Sequence, residues 1–129
     1  MSETGIMNRG LILASECPQT MCWRNLTGFA WAGDRVTIGM GQTITIGPRM
    51  VVLRNATPIN YGKVGSPDVL GVTAGRAWGQ EYKTATGRQR TDQVLFQAAF
   101  EAAGGCYEIP RTPQAGGALP YRLLEEAER

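Results

Sequence analysis

"SPDVLGVTAGRAWGQEYKTATGRQRTDQ", residues 66–93, holds two runs of strand character, 68–73 and 77–83, on either side of Ala74-Gly75. Acids in strand interiors usually mark a solvated face, so Asp68 and Glu81 acquire meaning only once the turn is placed. With Ala74 and Gly75 as the two-residue loop of a tight hairpin, Thr73 pairs with Arg76 and, counting outward, Asp68 falls opposite Glu81. Opposed residues carry Cβ atoms roughly 4.5–5.5 Å apart, and like charges there destabilise the pair unless something neutralises them. Lys83 lies two residues beyond Glu81 and therefore on the same face. Two acids and one lysine leave a negative site, which a divalent cation would complete, since magnesium prefers carboxylate and water oxygens. A loop one residue longer would send the acids to opposite faces, and an exposed hairpin with scattered charges is the plain alternative reading.

Composition removes several other chemistries. The chain has 129 residues, enough for one domain with its own core, with 43% hydrophobic and 19% charged residues. A net charge of +2 permits a polyanionic partner without requiring one. There is no histidine, which excludes a histidine-assisted nucleophile within the chain and leaves any metal to oxygen ligands. Cys17, Cys22 and Cys106 form no C-x-x-C pair and are an odd number, so they are expected to be reduced and partly buried. No apolar run is long enough to cross a bilayer, and the N-terminal residues lack a charged-then-apolar signal pattern. The expectation is a soluble, intracellular, cytoplasmic protein.

The rest of the chain predicts a mixed order of elements. A helix is expected over 3–15, interrupted by Gly10 and ended by Pro18. Strands are expected at 20–25 and 50–55, with a hairpin over 35–47 about "GMGQ" and a loop over 58–67. Residues 91–105 predict a helix with Val94, Leu95, Ala98, Ala99 and Ala102 on its apolar stripe and Gly104-Gly105 as its stop. A short strand at 106–110 and a helix over 119–129 complete the order. Trp31 and Trp78 read as packing residues.

Taken together, "GSPDVLGV", "QEYKTATGR" and "DQVLFQAAFEAAGG" resemble the successive motifs of the virus-type replication-repair nuclease domain (VRR-NUC), a branch of the PD-(D/E)XK nuclease superfamily. "ETGIMNRGLILAS" is similar to that family's first helix, and "WRNLTGFAWAG" to its arginine-asparagine strand and following glycine turn. The resemblance spans about residues 3–110. It implies an α/β fold with a PD-(D/E)XK restriction-endonuclease-like core, a mixed central sheet flanked by helices, over a single domain of residues 1–129. It also implies that Asp68, Glu81 and Glu3 bind metal, that Lys83 is the motif lysine, and that Gln93 is the motif glutamine close to the metal site. Three positions depart from the pattern. Gly79-Gln80 stand where an apolar residue usually precedes Glu81; Arg90 stands where a capping serine is usual, leaving Thr91 for that role; and the tail after Pro110 has no counterpart.

Arg24, Asn25, Lys63, Arg76, Arg88 and Arg90 are candidate contacts to DNA phosphates, which would give salt-dependent binding largely indifferent to sequence. The function the resemblance implies is a magnesium- or manganese-dependent endonuclease acting on branched DNA such as four-way junctions, built as a homodimer of viral or phage type. The competing expectation is a catalytically silent DNA-binding or assembly module on the same fold. A sequence-specific restriction enzyme would need more chain for base readout.

Overall fold

The computed structural model describes residues 1–37 and 39–129. Helix α1 spans Glu3–Ser15, β1 Thr20–Arg24, β2 Gly28–Arg35, β3 Leu53–Tyr61, β4 Val69–Thr73, β5 Arg76–Gln80, α2 Thr91–Ala102, β6 Cys106–Glu108 and α3 Pro113–Ala127. The chain forms two compact units, one of residues Met1–Leu26 with Gly62–Arg129 and one of Thr27–Tyr61. No helix among the described residues is long and apolar enough to cross a membrane.

The first unit is a mixed α/β fold whose four-stranded sheet runs β1-β4-β5-β6, with β1, β4 and β5 antiparallel and β6 parallel to β5. Its register is set at the β4–β5 turn. Ala74 (φ 48°) and Gly75 (φ 83°) both lie in the left-handed region, as a type I′ hairpin turn requires. Thr73 accordingly pairs with Arg76 and Val69 with Gln80, the pairing expected from the sequence. Beyond Gln80 the backbone remains tied to β6 and its continuation, with Glu81 N–H donating to the Glu108 carbonyl and Lys83 N–H to that of Pro110.

Side chains alternate along this segment. Trp78, Gln80 and Tyr82 are wholly buried, and Trp78 and Tyr82 join Ile6, Met7 and Ala14 of α1 with Leu119 and Leu123 of α3 in the core. Tyr82 is admitted by Gly10 and Gly116, since a methyl group at either position would collide with its phenol. Gly10 is thus a close-approach residue inside an uninterrupted helix.

The tail after Pro110 is an integral layer of the fold. Thr112 caps α3 by accepting from Ala115 N–H at 3.1 Å, and Pro113 opens the helix, so α3 starts six residues before the expected position 119. Pro120 inside it has no N–H for the carbonyl of Gly116. That carbonyl instead accepts from Gln80 Nε2 at 2.7 Å, while Gln80 Oε1 accepts from the Tyr82 hydroxyl at 2.8 Å. The departure at Gln80 is therefore a buried polar connection between sheet and helix.

Two expectations for α2 are corrected. Val94, Leu95, Ala98, Ala99 and Ala102 all face solvent, and the inner side carries Gln93, Phe96, Gln97 and Phe100. Phe96 stacks on Phe100 and lies 6.4 Å from the Tyr107 ring of β6, so aromatic contacts outweigh the aliphatic stripe. The N-cap is Arg90 rather than Thr91; its N–H donates to Gln93 Oε1 at 2.8 Å.

The second unit is an antiparallel ribbon of β2 and β3, in register from Gly28↔Tyr61 to Arg35↔Leu53 with a shift between Ala32 and Asp34. The hairpin expected over 35–47 is absent from the described residues there, Ile38 lying outside them; only Arg35 is in a strand. Positions 58–61, expected in a loop, complete β3, and the strand expected from residue 50 starts at Leu53. Trp78 packs as expected, whereas Trp31 is 56% exposed. The three cysteines are free, Cys17 buried and the others half-buried.

Gln80→Leu should lower unfolding free energy by about 1–3 kcal/mol, because it strands both the Gly116 carbonyl and the Tyr82 hydroxyl. Adding Pro120→Ala should recover part of that loss by returning a helical partner to Gly116. Urea denaturation of the two singles and the double measures the coupling; strictly additive losses would refute it.

Candidate metal centre

Asp68 and Glu81 sit one residue outside the last pair of the β4–β5 ladder. The hairpin register therefore delivers them side by side. Glu3, the first residue of α1, joins them: one carboxylate oxygen from each of Glu3, Asp68 and Glu81 lies within 4.8 Å of the other two. Ser2 fixes the start of that helix by accepting from Gly5 N–H at 3.1 Å.

Asp68 and Glu81 are held by different devices. Asp68 Oδ2 accepts from the Tyr82 N–H at 2.9 Å, and its carbonyl accepts from Asn25 N–H at 2.7 Å. Glu81 is 3% exposed, and its Oε1 accepts from Gln93 Nε2 at 2.8 Å. The same Gln93 amide accepts from Arg90 N–H, so one side chain caps α2 and orients Glu81. Lys83, 7% exposed, places Nζ 3.6 Å from Glu81 Oε1. Every buried side-chain polar atom among the described residues has a partner.

Burial is the main reason that the Glu81 carboxyl is pushed up to about 7, with Asp68 adding to the rise and Lys83 opposing it. A carboxyl raised this far by desolvation and a second acid marks a site short of positive charge. The donor set is all oxygen, which suits magnesium or manganese and not a soft metal.

The expected DNA contacts divide by position. Arg24 is opposite Val69 at the acid-bearing end of the sheet and is exposed. Lys63, Arg88 and Arg90 are exposed in the loops that border α2 and the acids. The Lys63 loop reaches the first turn of α2 through Gly65, where φ is +79° and a side chain would collide with the Asp92 carbonyl. Asn25 commits its amide to Ser66 Oγ at 2.8 Å and the Pro67 carbonyl at 2.9 Å, which makes it a positioner of the Asp68 loop. Arg76 stands at the turn, roughly 16 Å of strand away from the acids, and pairs with Glu126 at 3.3 Å.

Sequence reasoning missed Arg111. Its Nη1 donates to the carbonyls of Thr84 at 2.6 Å and Gly87 at 2.7 Å, fixing the loop that leaves Lys83. No short-range signal connects Arg111 to that loop; the link arises from the β5–β6 pairing. Comparison with models of protein families and with curated proteins gives no match for this chain.

With metal chelated, stability should fall as pH rises. The folded protein holds the Glu81 proton up to about 7, whereas an unfolded glutamate releases it near ~4.3. The folded state therefore binds more protons between those values, and this contribution is present below the lower one and lost above the upper one. Thermal melts in EDTA at about pH 5 and about pH 8 should show the decline, and Glu81→Gln should flatten it. Asp68→Asn should raise the melting temperature in EDTA and remove most of the rise produced by magnesium or manganese. Lower stability of Asp68→Asn with an unchanged metal response would mean that the acids do not share a site.

Proposed function

We propose that the protein is a divalent-metal-dependent endodeoxyribonuclease of PD-(D/E)XK type that hydrolyses phosphodiester bonds in branched DNA. The observation that carries this reading is the convergence of Glu3, Asp68 and Glu81 with a buried lysine at Glu81. The three acids would hold Mg2+ or Mn2+, which when bound supplies Lewis-acid polarisation and acidifies water.

The chain's own groups supply the remainder. Lys83 Nζ has three donors and a single carboxylate beside it, so it can orient an attacking water or bind a phosphate oxygen as charge builds there. Gln93 keeps Glu81 from swinging away, because its amide is itself fixed by the helix start. Arg24, Lys63, Arg88 and Arg90 border the acids and fit backbone contacts to a DNA strand entering the site. Contacts to the backbone alone would favour selection by DNA structure over sequence.

A homodimer accords with this reading, since two sites related by a two-fold axis can cut symmetric strands of a junction. The exposed apolar face of α2, with Leu95 at 67% and Val94 at 48%, supports such an interface. The competing role as a silent binding module is disfavoured by a complete trio of acids with its lysine, since binding alone needs no buried carboxylate held near neutrality.

Lys83→Ala should reduce cleavage of a labelled four-way junction by about 10²–10³-fold or more, while circular dichroism and junction binding in EDTA stay near wild type. Full activity of that variant would remove lysine from the mechanism. A junction, a flap and a plain duplex, each with magnesium, manganese or EDTA, test the reading as a whole, and absence of cutting in every arm would overturn it. Sedimentation should show a dimer at micromolar concentration that Leu95→Glu dissociates. A monomer that still resolves junctions would exclude the paired-site arrangement.

A further inference from the structure

The β2–β3 unit has features the metal centre does not use. None of its described residues is buried. A two-stranded ribbon without a covered face is marginal alone, and yet this one displays large rings. Phe29 and Trp31 are each 56% exposed and meet edge to face at 5.4 Å. Being two residues apart on β2, they share a face with their cross-strand partners Asn60 and Pro58. Solvent exposure of a paired phenylalanine and tryptophan, with no core to fill, is the pattern of a contact surface.

Charge indicates what the surface meets. The unit carries Arg35, Arg49 and Arg54 against Asp34, a net of +2, which equals the net charge of the whole chain. The remaining residues are therefore neutral overall, with ten basic and ten acidic side chains. All three arginines are exposed, and among the described residues none forms an ion pair. Excess positive charge in the same unit as open aromatic faces fits single-stranded nucleic acid, in which phosphates meet arginines and unpaired bases stack on rings.

We propose that Thr27–Tyr61 is a single-strand-binding arm that holds unpaired DNA bases against Phe29 and Trp31. The inference rests on the nuclease reading for the choice of DNA, and it specifies the substrate further: branched DNA with exposed bases at the branch. Base stacking on aromatics tolerates any sequence, because every base offers a π-face.

The test is binding of a labelled oligothymidylate of roughly 20 nucleotides, longer than the ~4–16-nucleotide footprint of single-strand-binding folds. It is done in EDTA with full-length protein whose fold is checked by circular dichroism. Phe29→Ala with Trp31→Ala should weaken binding by about tenfold or more. Arg35→Gln with Arg49→Gln and Arg54→Gln should make the plot of log affinity against log salt shallower by about 2, the slope expected of three single-strand phosphate contacts. Wild-type affinity in the aromatic variant overturns the proposal, as does a variant that loses dimerisation but still binds the oligonucleotide, since the face would then be a self-association surface. Asp68→Asn separates this proposal from the nuclease reading: it should keep oligonucleotide binding and lose junction cleavage. Ring-dependent binding by a wild-type protein that cuts nothing would uphold the arm and reject the nuclease; cutting with ring-independent binding would do the reverse.

Discussion

Two residues at positive φ, Ala74 and Gly75, leave β4 and β5 a single way to pair. Every later feature of the acidic cluster inherits that register. A shift of one residue would exchange the faces of Trp78, Gln80 and Tyr82 with those of Glu81 and Lys83. Such a shift would put a carboxylate and an ammonium against α1 and α3 and take an indole and a phenol out of the core. The register is therefore secured twice, locally by the turn and globally by the cost of burying the wrong side chains.

The same alternation explains how one short segment serves two purposes. Its even-numbered positions build the core, with Tyr82 fitted between glycines of two helices and Gln80 taking the carbonyl that Pro120 leaves free. Its odd-numbered positions carry the chemistry, with Glu81 and Lys83 beside Gln93. Rigidity on one side supports geometry on the other. Burial, which raises the Glu81 carboxyl to about 7, follows from that packing and is a destabilising feature kept in place by it.

What could be read from the sequence was what is local. The β4–β5 turn has its chemistry in two adjacent residues, α1 is followed closely by a proline, and Asp68, Glu81 and Lys83 share a face by strand register, whereas Glu3 and Gln93 join them only through the family resemblance. What could not be read depends on distant partners. Gly116, Gly117 and Pro120 argue against a helix by propensity, yet α3 forms because its glycines admit Tyr82 and Leu13. The aliphatic stripe of α2 suggested the wrong inner face, since Gln93 and Phe96 are fixed by Glu81 and Tyr107. The alternating residues after Arg35 suggested a hairpin, but β2 finds its partner at 53–61, across a long excursion that sequence alternation does not reveal.

The contributors to the acidic cluster are spread along the chain in a particular order. Glu3 comes first, Asp68 and Glu81 next, and the groups that fix Lys83 and its loop, the Pro110 carbonyl and the Arg111 guanidinium, come late. The helix that closes over Tyr82 comes later still. Asp68 and Glu81 are thus brought together by a hairpin of near neighbours, whereas Glu3 reaches them only from a distant helix packed in the α1–α3 layer. The cluster is therefore a joint between a local element and a long-range one, and any opening of that layer would part Glu3 from a pair that the hairpin alone keeps side by side.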